Sequence, residues 1–197
     1  MFEFNIKGCR LNIRFSLFVL IAFCNLIAGI ENGFIVLCAV ILHECAHLCA
    51  MLITGNLPDS IHLSGLGMRI QLPKGKQPSY MQNVVISLAG PVVSLICGGT
   101  ALLLGQGQTA MVNLALGLFH ILPIEPLDGG LALHALLSML VDEKRAEKIT
   151  TIVSLLLLMP IMLLGFMILL ETKNNFSLLA VSVYLMMYLI LSKKKFI

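Results

Sequence analysis

Long apolar runs separated by short polar intervals organise this chain. They fall at roughly 15–30, 33–54, 83–104, 109–140, 150–170 and 176–192. About 20 mostly apolar residues cross about 30 Å of hydrocarbon as a helix, so each run is a candidate transmembrane span. The fourth run is too long for one simple crossing and contains Pro123, Pro126, Gly129 and Gly130. Proline lacks an amide donor and glycine permits close backbone approach. The pattern there predicts a helix, an irregular stretch and a second helix. Between the second and third runs, Leu66, Met68, Ile70 and Leu72 alternate with glycine or polar residues. That period of two predicts a strand, and Ser64-Gly65 supplies a hairpin turn. The predicted fold is an all-α polytopic membrane protein with about six transmembrane helices, a broken fourth span and a small membrane-associated β-hairpin.

Composition excludes the alternatives. Of 197 residues, 58% are hydrophobic and 12% charged, and mean hydropathy is +0.98. Soluble domains carry about 25% charged residues and could not hide this much apolar surface. Disordered chains are polar and charge-rich, which this one is not. Cys24, Cys38, Cys45, Cys49 and Cys97 lie in apolar runs, where cysteine behaves as a small hydrophobe. The basic residues form no nucleic-acid patch, so the expected surroundings are a lipid bilayer and no nucleic acid.

Charge also sets the expected orientation. Lys7, Arg10, Arg14, Arg69, Lys74, Lys76, Lys144, Arg145, Lys148, Lys193, Lys194 and Lys195 fall on one side of a six-span layout; Lys173 alone falls on the other. The positive-inside rule makes the first side, with both termini, cytoplasmic. The expected location is a bacterial cytoplasmic membrane.

Against this background, His43, Glu44 and His47 are conspicuous within the second run. Ionisable groups inside a span are costly and mark function by default. Their H-E-x-x-H spacing puts the two histidines on one helix face, about 6 Å apart along the axis. Two imidazoles so placed can share a Zn²⁺, with the glutamate close enough to take a proton from water. A pair of core histidines bonded to neighbouring helices is the plainer reading. A zinc site wants a third protein ligand. The other carboxylates within the candidate spans are Glu125 and Asp128, both in the broken one. Asp128 also fits the cap of a helix beginning near Gly129.

The ordered set His43-Glu44-x-x-His47, Ala89-Gly90-Pro91 and Pro123-x-x-Pro126-Leu127-Asp128-Gly129-Gly130 resembles the motifs of site-2 proteases. The resemblance covers roughly 33–140 and is nearest to the branch of the sporulation factor IVFB. It implies a single membrane-embedded metalloprotease domain over 1–197; no PDZ domain is expected, and, in a departure from the IVFB-type factors, no C-terminal CBS domain either. It implies one Zn²⁺ per chain held by His43, His47 and Asp128, with Glu44 as catalytic acid and base. His120 stands where the family commonly has Asn, and Ser94 where an Asn often follows the Gly-Pro turn.

The implied activity is hydrolysis of peptide bonds in transmembrane or membrane-associated protein substrates: regulated intramembrane proteolysis, including pro-sigma-factor or anti-sigma-factor processing. A helical substrate must unwind to be cut, and its freed backbone then needs partners. The hairpin edge around Gly65 and Gly67 is a candidate for pairing with it, or else a hairpin that merely covers the site. His120 is a candidate for a hydrogen bond to a substrate carbonyl. A regulatory partner is allowed for. The alternative is a membrane metal transporter or sensor using the same His and Asp ligands.

In a background lacking native cysteines, cysteines introduced at Gly107 and Asn174 should react with impermeant thiol reagents from outside the cell. One at Gln77 should react only after permeabilisation. The reverse labelling pattern would invert the orientation.

Overall fold

The computed structural model describes residues 2–6, 9–13, 15, 29–64, 67–73, 75 and 77–193. The first expected span falls mainly on 16–28, outside them. By proximity the chain divides into two compact units, Met1–Phe119 and His120–Ile197.

The first unit contains β1 (Phe2–Ile6), β2 (Cys9–Ile13), α1 (Ile30–Ile53), β3 (Ser60–Ser64), β4 (Gly67–Gln71), α2 (Tyr80–Leu103) and α3 (Gly107–His120, whose last residue opens the second unit). The strands form one sheet in the order β1-β2-β3-β4. The expected hairpin is its β3–β4 half, with Ile61 opposite Ile70 and Ser64 opposite Gly67. Of the alternating run, Leu72 lies beyond β4, and Leu66 lies outside the described residues. β1 and β2 enlarge the hairpin to four strands. Their sequences, Phe-Glu-Phe-Asn-Ile and Cys-Arg-Leu-Asn-Ile, alternate apolar with mostly polar residues and so fit a half-buried sheet. β2 pairs with β3 in parallel, Arg10 opposite Ser60, and a parallel pair requires a crossover connection. The chain supplies α1 between them. At the seam, Arg10 N–H donates to the Asp59 carbonyl at 2.9 Å, and the Arg10 guanidinium donates to the Asp59 carboxylate at 2.6 Å. That ion pair is exposed and worth about 0–1 kcal/mol; the backbone bond sets the register.

α1 and α2 pack as an antiparallel pair. α2 opens with a capping box: Ser79 Oγ accepts from Gln82 N–H, and Gln82 Oε1 accepts from Ser79 N–H. The Gln82 amide also donates to the Thr54 carbonyl at 3.1 Å, tying the start of α2 to the end of α1. The buried residues of α1 include Ala39, His43, His47 and Ala50, a stripe at helical spacing. α3 returns along α2 through small residues: a Cβ on Gly98 would meet Leu114 at 2.7 Å, and one on Gly117 would meet Leu95 at 2.8 Å.

The second unit contains α4 (Asp128–Leu137), α5 (Glu143–Thr172) and α6 (Ser177–Lys193). α5 is capped by Asp142, whose side chain accepts from Arg145 N–H. α5 and α6 touch at Gly165, where a Cβ would sit 2.8 Å from the Leu179 amide nitrogen.

Burial runs inside out. Thr150, Ser154 and Ser182 are enclosed, while Ile53, Leu103 and Leu140 are more than four-fifths exposed. Small and polar residues at helix contacts with large apolar ones outside is the arrangement lipid favours. Among the described residues, α1, α2 and α5 are each long and apolar enough to cross a membrane; the apolar part of α6 is shorter. The run at 109–140 divides into α3, an irregular stretch at 121–127 and α4, in the region of the expected broken span.

Candidate metal centre

His43 and His47 are 2% and 8% exposed, one turn apart on α1. Their Nε2 atoms face each other at 3.2 Å, with ring planes at 74°. Each ring is held from behind. His47 Nδ1 lies 2.7 Å from the Ile86 carbonyl on α2. A carbonyl only accepts, so Nδ1 carries the hydrogen; in the neutral ring Nε2 then presents a lone pair. His43 Nδ1 lies 3.0 Å from Ser94 Oγ, which is 1% exposed. Imidazoles that ligate a metal through one nitrogen are commonly fixed this way through the other.

The approach of α2 depends on Gly90. A Cβ there would overlap His47 Nε2 and sit 2.7 Å from His43 Nε2. The glycine leaves room for both inward nitrogens against the helix backbone. Pro91, which follows it, is fully buried. Glu44 follows His43 on α1 and is half-buried.

In the second unit, Asp128 is the first residue of α4, with its carboxylate at the helix N-terminus, where negative charge is favoured. The cap position belongs to Leu127, which makes no side-chain cap bond. Asp128 Oδ2 instead meets His120 Nδ1 at 3.0 Å. The irregular stretch is folded tightly enough to bring them together. Ile124 N–H donates to the Leu122 carbonyl, and Leu127 N–H to the Ile124 carbonyl, both at 2.7 Å. Gly129 lies against the Ile121 and Leu122 carbonyls, and a Cβ on Gly130 would sit 2.6 Å from the Glu125 nitrogen. Glu125 N–H donates to Ser154 Oγ of α5 at 3.0 Å. An apolar setting demands such a partner for each freed backbone group.

The structure therefore brings His43 together with His47, and His120 with Asp128. Gly67 is the first residue of β4, opposite Ser64; Gly65 lies outside the described residues. Sequence reasoning missed Ser94 as a partner of His43, the Ile86 carbonyl as a partner of His47, and Ser154. For Ser154 a signal existed: Thr150 and Ser154 are polar residues one turn apart in an apolar run.

His43 and His47 of the first unit offer two imidazoles and Asp128 of the second a carboxylate, donor types that metal ions take. The chain has relatives of known description. Residues 106–164 match the family model described as Peptidase family M50. A protein of Synechocystis sp. described as a putative zinc metalloprotease is 34% identical over 122 residues, 56% of this chain and 32% of the relative. A zinc metalloprotease of Methanocaldococcus jannaschii is 28% identical over 161 residues, 74% of this chain and 44% of the relative. The chain thus spans about a third to under half the length of these curated relatives. The solved structure titled site-2 protease from Methanocaldococcus jannaschii matches with a TM-score of 0.62 at 22% identity, covering 93% of this chain and 92% of that one. This likeness establishes the fold. Residues 106–164 thus carry the M50 likeness, and both sequence relatives are described as zinc metalloproteases.

Gly90→Ala should weaken zinc binding by about 10–100-fold, the range seen when the support of a metal ligand is disturbed. Gly99→Ala, where a Cβ meets nothing within 4 Å, should leave it unchanged. Competition against a chromophoric chelator measures both; equal affinities would show that the close approach of α2 is immaterial.

Proposed function

We propose that the protein is an intramembrane zinc metalloprotease that hydrolyses peptide bonds of transmembrane or membrane-associated proteins. The observation that carries this reading is the buried His43–His47 pair, Nε2 facing Nε2, with each outer nitrogen engaged on α2. In this reading His43, His47 and Asp128 hold one Zn²⁺. When bound, the ion supplies Lewis acidity, polarising a carbonyl and lowering the pKa of water to about 7. Glu44 takes the proton from the attacking water and delivers it to the leaving amide nitrogen. The partners of His43 and His47 keep their rings from turning while this happens.

The backbone of an unwound substrate needs hydrogen-bond partners. β4, which carries Gly67, is an end strand of the sheet, and β3 is already flanked by β2 and β4. We assign the substrate edge to β4, and His120 is a second candidate contact. The distribution of basic residues supports cytoplasmic termini in a bacterial cytoplasmic membrane. The finer placement, in the branch of the sporulation factor IVFB with a pro-sigma or anti-sigma factor as substrate, is supported by sequence resemblance alone.

Glu44→Gln should retain zinc and lose proteolysis, because only the proton acceptor is removed. Membrane proteomes of cells carrying either form test this: a membrane protein that accumulates only with the Gln variant names the substrate. Full activity of that variant would end the proposed mechanism, and metal transport unaffected by it, with no peptide product, would favour a transporter.

Asp128→Ala should lose zinc and activity together, whereas Glu125→Ala should lose little of either. Zinc content and cleavage measured on the same preparations decide it. The opposite result would mean that the ligand is Glu125.

A further inference from the structure

We infer that His120 is a positioning residue for the Asp128 carboxylate, an inference that rests on the proposed reading of Asp128 as a zinc ligand. His120 ends α3 and Asp128 begins α4, so the seven residues between them could hold the two side chains at many separations. The structure holds them at hydrogen-bond distance: Nδ1 to Oδ2 is 3.0 Å, with the side chains 29% and 18% exposed. A carboxylate accepts and does not donate when ionised, so Nδ1 carries the hydrogen. Bonds of this charge-assisted kind are stronger than neutral ones.

The bond has two consequences for Asp128. A carboxylate turns readily about its terminal torsion, which is broad and roughly two-fold. Anchoring Oδ2 on His120 restricts that freedom and distinguishes the two oxygens, which fixes how the carboxylate is presented to a metal. It also disfavours ligation through both oxygens, since Oδ2 already gives one lone pair to nitrogen. The irregular stretch reinforces the pairing. Gly129 and Gly130 seat α4 directly on residues 121–125, and Ser154 holds the Glu125 amide. The backbone sets how far apart His120 and Asp128 lie, and the hydrogen bond sets which way the carboxylate faces. An asparagine at 120 offers an amide donor of similar polarity and can serve the same purpose; an alanine cannot.

The test uses the full-length protein with zinc and cobalt(II) as probes, comparing His120→Ala, His120→Asn and Asp128→Ala. His120→Ala should weaken zinc binding by about 10–100-fold and alter the visible spectrum of the cobalt-loaded protein. His120→Asn should restore affinity to within a few-fold of wild type and restore the spectrum. Wild-type affinity and spectrum in His120→Ala would overturn the inference. So would failure of His120→Asn to restore them, because the imidazole would then be needed for more than its donor. If His120→Ala does not fold, as judged by thermal unfolding without metal, His120→Asn alone decides: near-wild-type affinity and spectrum support the inference, and their loss overturns it. Undiminished zinc in Asp128→Ala would overturn the ligand assignment itself, a failure distinguishable from that of the inference, which requires zinc to be lost on Asp128→Ala.

Discussion

An imidazole N–H enclosed by apolar helices must find an acceptor, and His47 finds the Ile86 carbonyl at 2.7 Å. Leaving such a donor unpaired costs about 1–3 kcal/mol. Much of the first unit follows from meeting this demand. A helical carbonyl already accepts one intrahelical bond and has a second lone pair to give, but it can be reached only if α2 comes very close to α1. Gly90 permits the approach, and Ser94, two turns from Ile86 on α2, meets His43 in the same way. The Gln82–Thr54 bond closes the far end of the pair. The helices are aligned by polar contacts, because in lipid apolar contacts alone discriminate little between registers.

The second unit solves a related problem by a different route. Its polar demand comes from backbone freed between α3 and α4, and short local turns, glycine contacts and the Ser154 hydroxyl meet it. Prolines at 123 and 126 bring no amide hydrogens of their own, which reduces what must be satisfied. The loss of helix here thus creates few stranded donors, and Asp128 emerges at a fresh helix start.

Much of this was legible in the sequence because the signals are local. The His43–Glu44–His47 spacing, the apolar runs and the Pro-Gly interruption each occupy one contiguous segment, and helical or alternating periodicity reads them directly. The division of 109–140 at residues 121–127 follows from such a signal. The β1 and β2 alternation was equally local but too short to stand out beside 20-residue apolar runs. What could not be read was which distant residue meets which. His43 and Ser94 are 51 positions apart and His47 and Ile86 are 39 apart; no periodicity links them. Asp128 shows the same limit at short range: its position suits a helix cap, and only the folded stretch before it turns its carboxylate to His120.

The parallel pairing of β2 with β3 carries a consequence of parity. Strands joined by hydrogen bonds lie on the same side of a bilayer. The chain leaving Ile13 must therefore be back on its starting side when it reaches Ser60. In a bilayer, such a pairing would require an even number of crossings in between, whatever the path. The sheet acts as a counter: an inserted chain that had made an odd number of crossings could not close it, and only a correctly threaded one brings Arg10 to Asp59.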